Sequence, residues 1–236
     1  MQLCMFHPVD HPLERGWVGR VDGDRVVQLA AQTLQSFFTG GGSAREHAEH
    51  PRDEVQLLAP VLHPPSIRVH DEQGGCAFAN PAAIVGPGAL IRRTERPGDT
   101  VSQRQLALVP RLAAVIGAEG EPAAFTILAE WRDPARRPPK DRDFALGLGP
   151  VAVTVDELEP DERAVVVSVD SVEGARGVFS HFDWPAAVAL AAEGTKLYPG
   201  DLIAGPGAAL VEGVASGSRV EVEVDGIGVL EQRVAG

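Results

Sequence analysis

Two apolar runs in the middle of the chain, residues 112–116 (LAAVI) and 125–128 (FTIL), restrict the fold more than any other feature. A short, unbroken apolar run bounded by glycine and charge is the pattern of a strand buried on both faces. The second run ends in the charged stretch EWRDP, and KDRDFALGLGP follows it. Loops at the ends of buried strands are where a fold usually places its chemistry.

The flanking sequence supports a mostly β chain. WVGRVDGDRVVQL (17–29) reads as a hairpin turning at Asp22-Gly23-Asp24, because an Asp-Gly pair supplies the positive φ of such a turn. A short helix is predicted over 31–38, ended by Gly40, Gly41 and Gly42. Residues 43–54 read as a solvated helical linker. Within it His47 and His50 stand three apart, a spacing that could also place two metal ligands on one turn. The prolines at 60, 64 and 65 force an extended path through 57–68. Gly86-Pro87-Gly88 reads as a turn and 92–103 as a polar loop. AVVVSVDSVEGARGVFS (164–180) reads as two strands about a Glu173-Gly174 turn. Asp183 is a candidate cap for a helix over 184–192, with Pro185 tolerated in its first turn. SRVEVEVDGIGVLEQRV (218–234) alternates valine with glutamate and turns at Asp225-Gly226. The 26 glycines and 19 prolines, with aromatics at only 5%, suit many short strands joined by tight turns.

Charge and cysteine usage exclude several function classes. The net charge of −12 argues against a nucleic-acid surface as the main function and against a polybasic membrane contact. Neither Cys4 nor Cys76 belongs to a CxxC pair, so zinc-ribbon and thioredoxin readings fail. Two free thiols, no long apolar span and no signal-type N-terminus lead to the expectation of a cytoplasmic protein. There is no G-x-S-x-G, no P-loop and no G-x-G-x-x-G.

Several stretches, taken in order, resemble the fumarylacetoacetate hydrolase family: FANPAAIVGPGALI (78–91), LALVPRLAAVIG (106–117), TILAEWRDPAR (126–136), KDRDFALGLGPVAVTVDEL (140–158), LYPGDLIAGPG (197–207) and VEVEVDGIGVL (220–230). The resemblance implies an α+β, mostly β fold, a mixed β-sandwich roll over 57–236. A small N-terminal hairpin domain and linker over 1–56 would precede it. It also implies a homodimer and a small-molecule substrate, with no nucleic acid and no membrane as partner.

Enzymes of that family hold Mg²⁺ or Mn²⁺ through two glutamates of an E-x-E motif and an aspartate. The ion polarises the carbonyls of a β-diketo acid. Aligned on AAVIG, the glutamates fall at Val109 and Arg111 and the aspartate at Glu130, followed by a matching Trp131. One ligand becomes a hydrocarbon and another a fixed positive charge, so no metal and no other cofactor is expected. The family lysine falls at Arg142, with Asp143 matching. The family threonine falls near Gly207, beside Gly205. His70 and Glu72 are the nearest counterparts of the catalytic His–Glu pair, across a shortened segment. The candidate catalytic residues are therefore Glu130, Arg111, Arg142 and His70. Arg111, Trp131, Asp143, Gly205 and Gly207 are the candidates for holding substrate. Arg111 and Glu130 are expected within salt-bridge reach.

The leading functional reading is metal-independent enol or enolate chemistry (isomerisation, cyclisation or decarboxylation) on a small β-dicarbonyl or anionic metabolite. The alternatives are a non-catalytic binding or partner protein, in which Arg111–Glu130 is a structural salt bridge, and a C–C bond hydrolase with a rearranged metal site such as Glu130, Asp133 and His70.

Overall fold

The structure is a computed structural model that describes residues 1–93 and 105–236. The first strands are β1 (Gln2–Pro8), β2 (Trp17–Asp22) and β3 (Arg25–Leu29). After helix α1 (Leu34–Thr39) come β4 (Glu46–Pro51), β5 (Val55–Leu58), β6 (Ile67–His70), β7 (Cys76–Phe78), β8 (Ile84–Val85) and β9 (Leu90–Ile91). The centre consists of β10 (Leu106–Ile116), β11 (Pro122–Arg132) and β12 (Leu146–Thr154). β13 (Arg163–Val169), β14 (Val172–Phe179) and helix α2 (Trp184–Ala192) follow. The chain closes with β15 (Leu202–Gly207), β16 (Val211–Val214), β17 (Arg219–Val224) and β18 (Gly228–Val234).

Two sheets result. The larger runs β4-β3-β2-β1-β12-β11-β10-β15-β6-β7, with β5 added to β1, β16 to β10 and β8 to β12. The smaller runs β14-β13-β17-β18-β9. This is the expected α+β, mostly β architecture. β1 hydrogen-bonds to β12 in the pairs Gln2↔Val153 and Leu3↔Ala152.

The two apolar runs are the second half of β10 and the middle of β11, and both strands are almost wholly buried. Because side chains alternate across a strand, the pair serves two cores. Leu112, Ile127 and Trp131 pack with Val165, Val222 and Leu230 of the smaller sheet and with Val188 of α2. Leu128, Leu146 and Leu202 pack with Leu3, Met5 and Phe37 on the opposite face. Each fully buried aliphatic or aromatic side chain contributes about 1.5–3 kcal/mol by leaving water.

Several local expectations hold. The Asp22-Gly23-Asp24 hairpin forms with Gly23 at φ 60, and Gly226 turns the last hairpin at φ 81. Asp183 caps α2, accepting from the Ala186 N–H at 2.9 Å. Gly86-Pro87-Gly88 is a turn, with Gly88 at φ 73. Others need correction. α1 starts at Leu34, after Thr33, because the Thr33 hydroxyl and the Ser36 side chain cap each other's backbone N–H groups. The stretch read as a helical linker is strand β4, recruited to the free edge of β3, with Arg25 and Glu49 paired across the ladder at 2.6 Å. His47 and His50 therefore point to opposite faces. His47 is exposed, while His50 packs on Phe6 and Trp17. The β13–β14 turn falls at Asp170-Ser171, both at positive φ, not at Glu173-Gly174. Register decides this: the buried Val165 and Val167 also pair across β17 with Val224 and Val222. Most of the loop expected over 92–103 lies outside the described residues.

Candidate active site

The site grows from one register. β10 and β11 pair antiparallel with Val109 opposite Glu130 and Ala107 opposite Arg132. Val109 and Arg111 of β10 thus share a face with Glu130 and Arg132 of β11. On that face the Arg111 Nε donates to Glu130 Oε2 at 2.6 Å, and the Arg132 Nε donates to Glu130 Oε1 at 2.8 Å. The Arg111 and Glu130 side chains are only 6% and 3% exposed, so the pair is shielded from solvent. Arg111 Nη1 donates to the backbone carbonyls of His70 and Gly205, both at 2.9 Å, tying β6 and β15 to the central pair.

Charge at this point is settled by competition between burial and pairing. Burial raises the Glu130 carboxyl, but the guanidinium groups of Arg111 and Arg132 overcome it and hold Glu130 below its ordinary value. Burial lowers Arg111 against the opposing pull of Glu130; a guanidinium starts so high that it stays charged. His70 is buried, with its ring 5.5 Å from that of Phe182. Its Nε2 is buried without a hydrogen-bond partner among the described residues. Burial, helped by the charges of Arg111 and Arg68 and opposed by Asp71, lowers the His70 imidazole below 6.5. It is therefore neutral at pH 7.

A cavity of about 260 Å³ opens here, lined among others by His70, Cys76, Arg111, Glu130, Arg132 and Arg142. A neighbouring recess of about 480 Å³ shares Arg111, Arg132 and Asp71, and adds Glu72, Val109 and Gly207.

The family model described as fumarylacetoacetate (FAA) hydrolase C-terminal matches residues 42–235. This chain belongs to the fumarylacetoacetate hydrolase family. Solved structures agree in fold over the whole chain. Maleylpyruvate hydrolase from Sphingobium sp. SYK-6 is 21% identical, covers 100% of this chain and 99% of its own, and superposes with a TM-score of 0.82. The same enzyme in complex with manganese(II) and pyruvate gives 0.81. The 2-hydroxyhepta-2,4-diene-1,7-dioate isomerase from Mycobacterium marinum, 20% identical, covers 100% of this chain and 98% of its own at 0.77. Fumarylacetoacetate hydrolase from Exiguobacterium antarcticum, 19% identical, covers 100% of both chains at 0.78. Among curated protein sequences none matches.

The donor set does not fit the divalent ion that the family resemblance implies. Such an ion needs several free, preferably charged oxygens. Here Val109 offers none, Arg111 brings a positive charge, and both Glu130 oxygens already accept from guanidinium groups. The rearranged set is not assembled either. Asp133 is buried between Arg93 and Arg136, each 3.0 Å from its Oδ2. Among the described residues no group of three or more His, Cys, Asp or Glu side chains is placed to hold a metal ion.

The other candidates in this family member divide. Arg142 reaches the cavity rim, 3.9 Å from Glu130 but bound to Asp141 at 2.8 Å. Gly205 contributes its carbonyl to Arg111. Gly207 forms a wall against Val109, with no room for a larger side chain. Trp131 does not line the cavity. It is wholly buried on the opposite face of β11 and donates its Nε1–H to Gln232 at 2.7 Å. Asp143 lies in a different recess with Asn80 and Lys140, and its carboxylate pairs with Lys140 at 2.7 Å. Glu72 is exposed and lines the neighbouring recess, not the cavity of Glu130. Arg132 is the residue that sequence reasoning missed. Its position two residues beyond Glu130 on a strand places it on the same face, and that signal was available.

Proposed function

We propose that this chain is a metal-independent enzyme for enol or enolate chemistry on a small β-dicarbonyl or otherwise anionic metabolite. The observation that carries this reading is the buried guanidinium of Arg111, locked by Glu130 at the place where the family resemblance puts a cation. A fixed guanidinium stabilises a developing enolate oxygen electrostatically, and the burial of Arg111 strengthens the effect. The relatives act, by name, on maleylpyruvate and on a hydroxydienedioate, both small enolisable acids.

His70 is the proton-transfer group. Its neutral imidazole takes a proton from the carbon next to the carbonyl, the electron pair passes to the oxygen, and returning the proton elsewhere completes an isomerisation. Glu130 has the opposite disposition. With both oxygens occupied and its carboxyl held low, it anchors the arginines and is a poor acid or base. The reading is tested with small 2-oxo acids in D₂O containing EDTA, with pyruvate and oxaloacetate as probes and proton exchange followed by NMR. Exchange above the buffer rate is expected, with His70→Gln slowing it by about 10²–10⁴-fold while the fold is kept. Exchange that needs added Mg²⁺ or Mn²⁺, or none with any acid tried, would remove the proposal. In the latter case Arg111–Glu130 is a structural pair.

A further inference from the structure

We infer that Arg132 is the receptor for a substrate carboxylate, an inference that rests on the function proposed above. Three arginines line the cavity, and two are committed. Arg111 uses Nε on Glu130 and Nη1 on two backbone carbonyls. Arg142 gives Nε and Nη2 to Asp141. Arg132 is bound only through Nε, to Glu130 at 2.8 Å; its terminal nitrogens carry no hydrogen bond among the described residues. Its side chain is 29% exposed, against 3% for Glu130, so the fork is reachable while its anchor is not.

The position suits a binding group. Arg132 and Arg111 line both the 260 Å³ cavity and the 480 Å³ recess beside it, so a ligand entering either meets the Arg132 fork. A guanidinium held at Nε is pre-oriented, and its free edge matches the two oxygens of a carboxylate. Two carboxylates, Asp71 and Glu72, line the recess with Arg132, and neither forms an ion pair with it among the described residues. Asp71 is held in its own turn, its Oδ1 occupied by the N–H groups of Gln73 and Gly75. The cavity of about 260 Å³ suits a small acid. The expected ligand is thus a short carboxylic acid whose carboxylate sits on Arg132 and whose enolisable carbonyl lies toward His70 and Arg111.

Oxalate is the probe, titrated calorimetrically in EDTA into wild type, Arg132→Met and Arg132→Lys, with circular dichroism and thermal melts as fold controls. Wild type is expected to bind, and Arg132→Met to bind at least about tenfold more weakly. Arg132→Lys keeps a cation beside Glu130 and so guards against misfolding; it should fall between the two, because an ammonium lacks the fork. In the exchange assay both variants should raise KM more than they lower kcat. Oxalate affinity within twofold of wild type in a folded Arg132→Lys and Arg132→Met pair would overturn the inference while leaving the enolate reading intact. So would wild type that exchanges protons but does not bind oxalate. Loss of exchange in wild type would instead defeat the proposed function itself.

Discussion

Glu130 is the residue on which the local electrostatics turn. It is the shared acceptor of Arg111 and Arg132, and Arg111 is buried. Glu130→Gln keeps the shape and removes the charge, leaving the Arg111 guanidinium uncompensated in a shielded site. The expected loss is about 3–5 kcal/mol of unfolding free energy, measured by urea denaturation. A loss below about 1 kcal/mol would show that the pair is solvated like a surface salt bridge. His70 supplies a pH dependence of definite sign. Its imidazole is held below 6.5 in the fold, so the unfolded chain takes up that proton first as pH falls. Its contribution is complete above pH 6.5 and is lost as pH drops through the lower folded value. Melting temperature should therefore fall on acidification from pH 7, and His70→Phe should flatten that slope. An unchanged slope in the variant would assign it to other groups.

At the level of elements, the seam between β10 and β15 is tight where the family resemblance expects more polar residues. Arg111 pairs with Gly207, and a Cβ at Gly207 would lie 2.3 Å from Val109 Cγ1. The valine thus fills space that a side chain at 207 would need. Gly207→Ala alone is expected to cost about 1–3 kcal/mol through overpacking. Combined with Val109→Ala it should cost less than the sum of the single changes, with a coupling of at least about 1 kcal/mol in a double-mutant cycle. Strict additivity would show that the strand moves aside instead.

At the level of the whole molecule, the N-terminal strands and the central sheet share hydrogen bonds and a core. β1 lies between β2 and β12, and Leu3, Met5, Leu34 and Phe37 pack in one cluster with Leu128 and Leu146. A fragment spanning 57–236 would expose the edge of β12 and that apolar face together, the conditions for aggregation. It is expected to be insoluble, or to bind a hydrophobic dye and melt without a sharp transition. A soluble fragment with a cooperative melt would establish 57–236 as an independent domain.

Much of this architecture was legible in the residues. The apolar runs marked two buried strands, Asp22-Gly23 and Asp225-Gly226 marked their hairpins, and Asp183 marked the start of α2. Each depends on local chemistry: backbone conformation at a turn, a cap for free N–H groups, or an apolar run long enough to be buried. The replacements at 109, 111 and 130 were equally visible, because charge type is a property of the residue alone. Contact between distant parts was not visible. β4 became a strand because β3 offered a free edge, which overrode a composition that suits a helix. The Asp170-Ser171 turn followed from the valine rows facing β17, against the stronger local signal of Glu173-Gly174. Trp131 and Glu130, neighbours in sequence, were sent to opposite sides of a sheet, one into the core and the other into the cavity. Only the pairing of β11 with β10 decided which side held the cavity, and with it that Arg132 faces that cavity, because a strand's alternation acquires an inside and an outside only when other elements cover it.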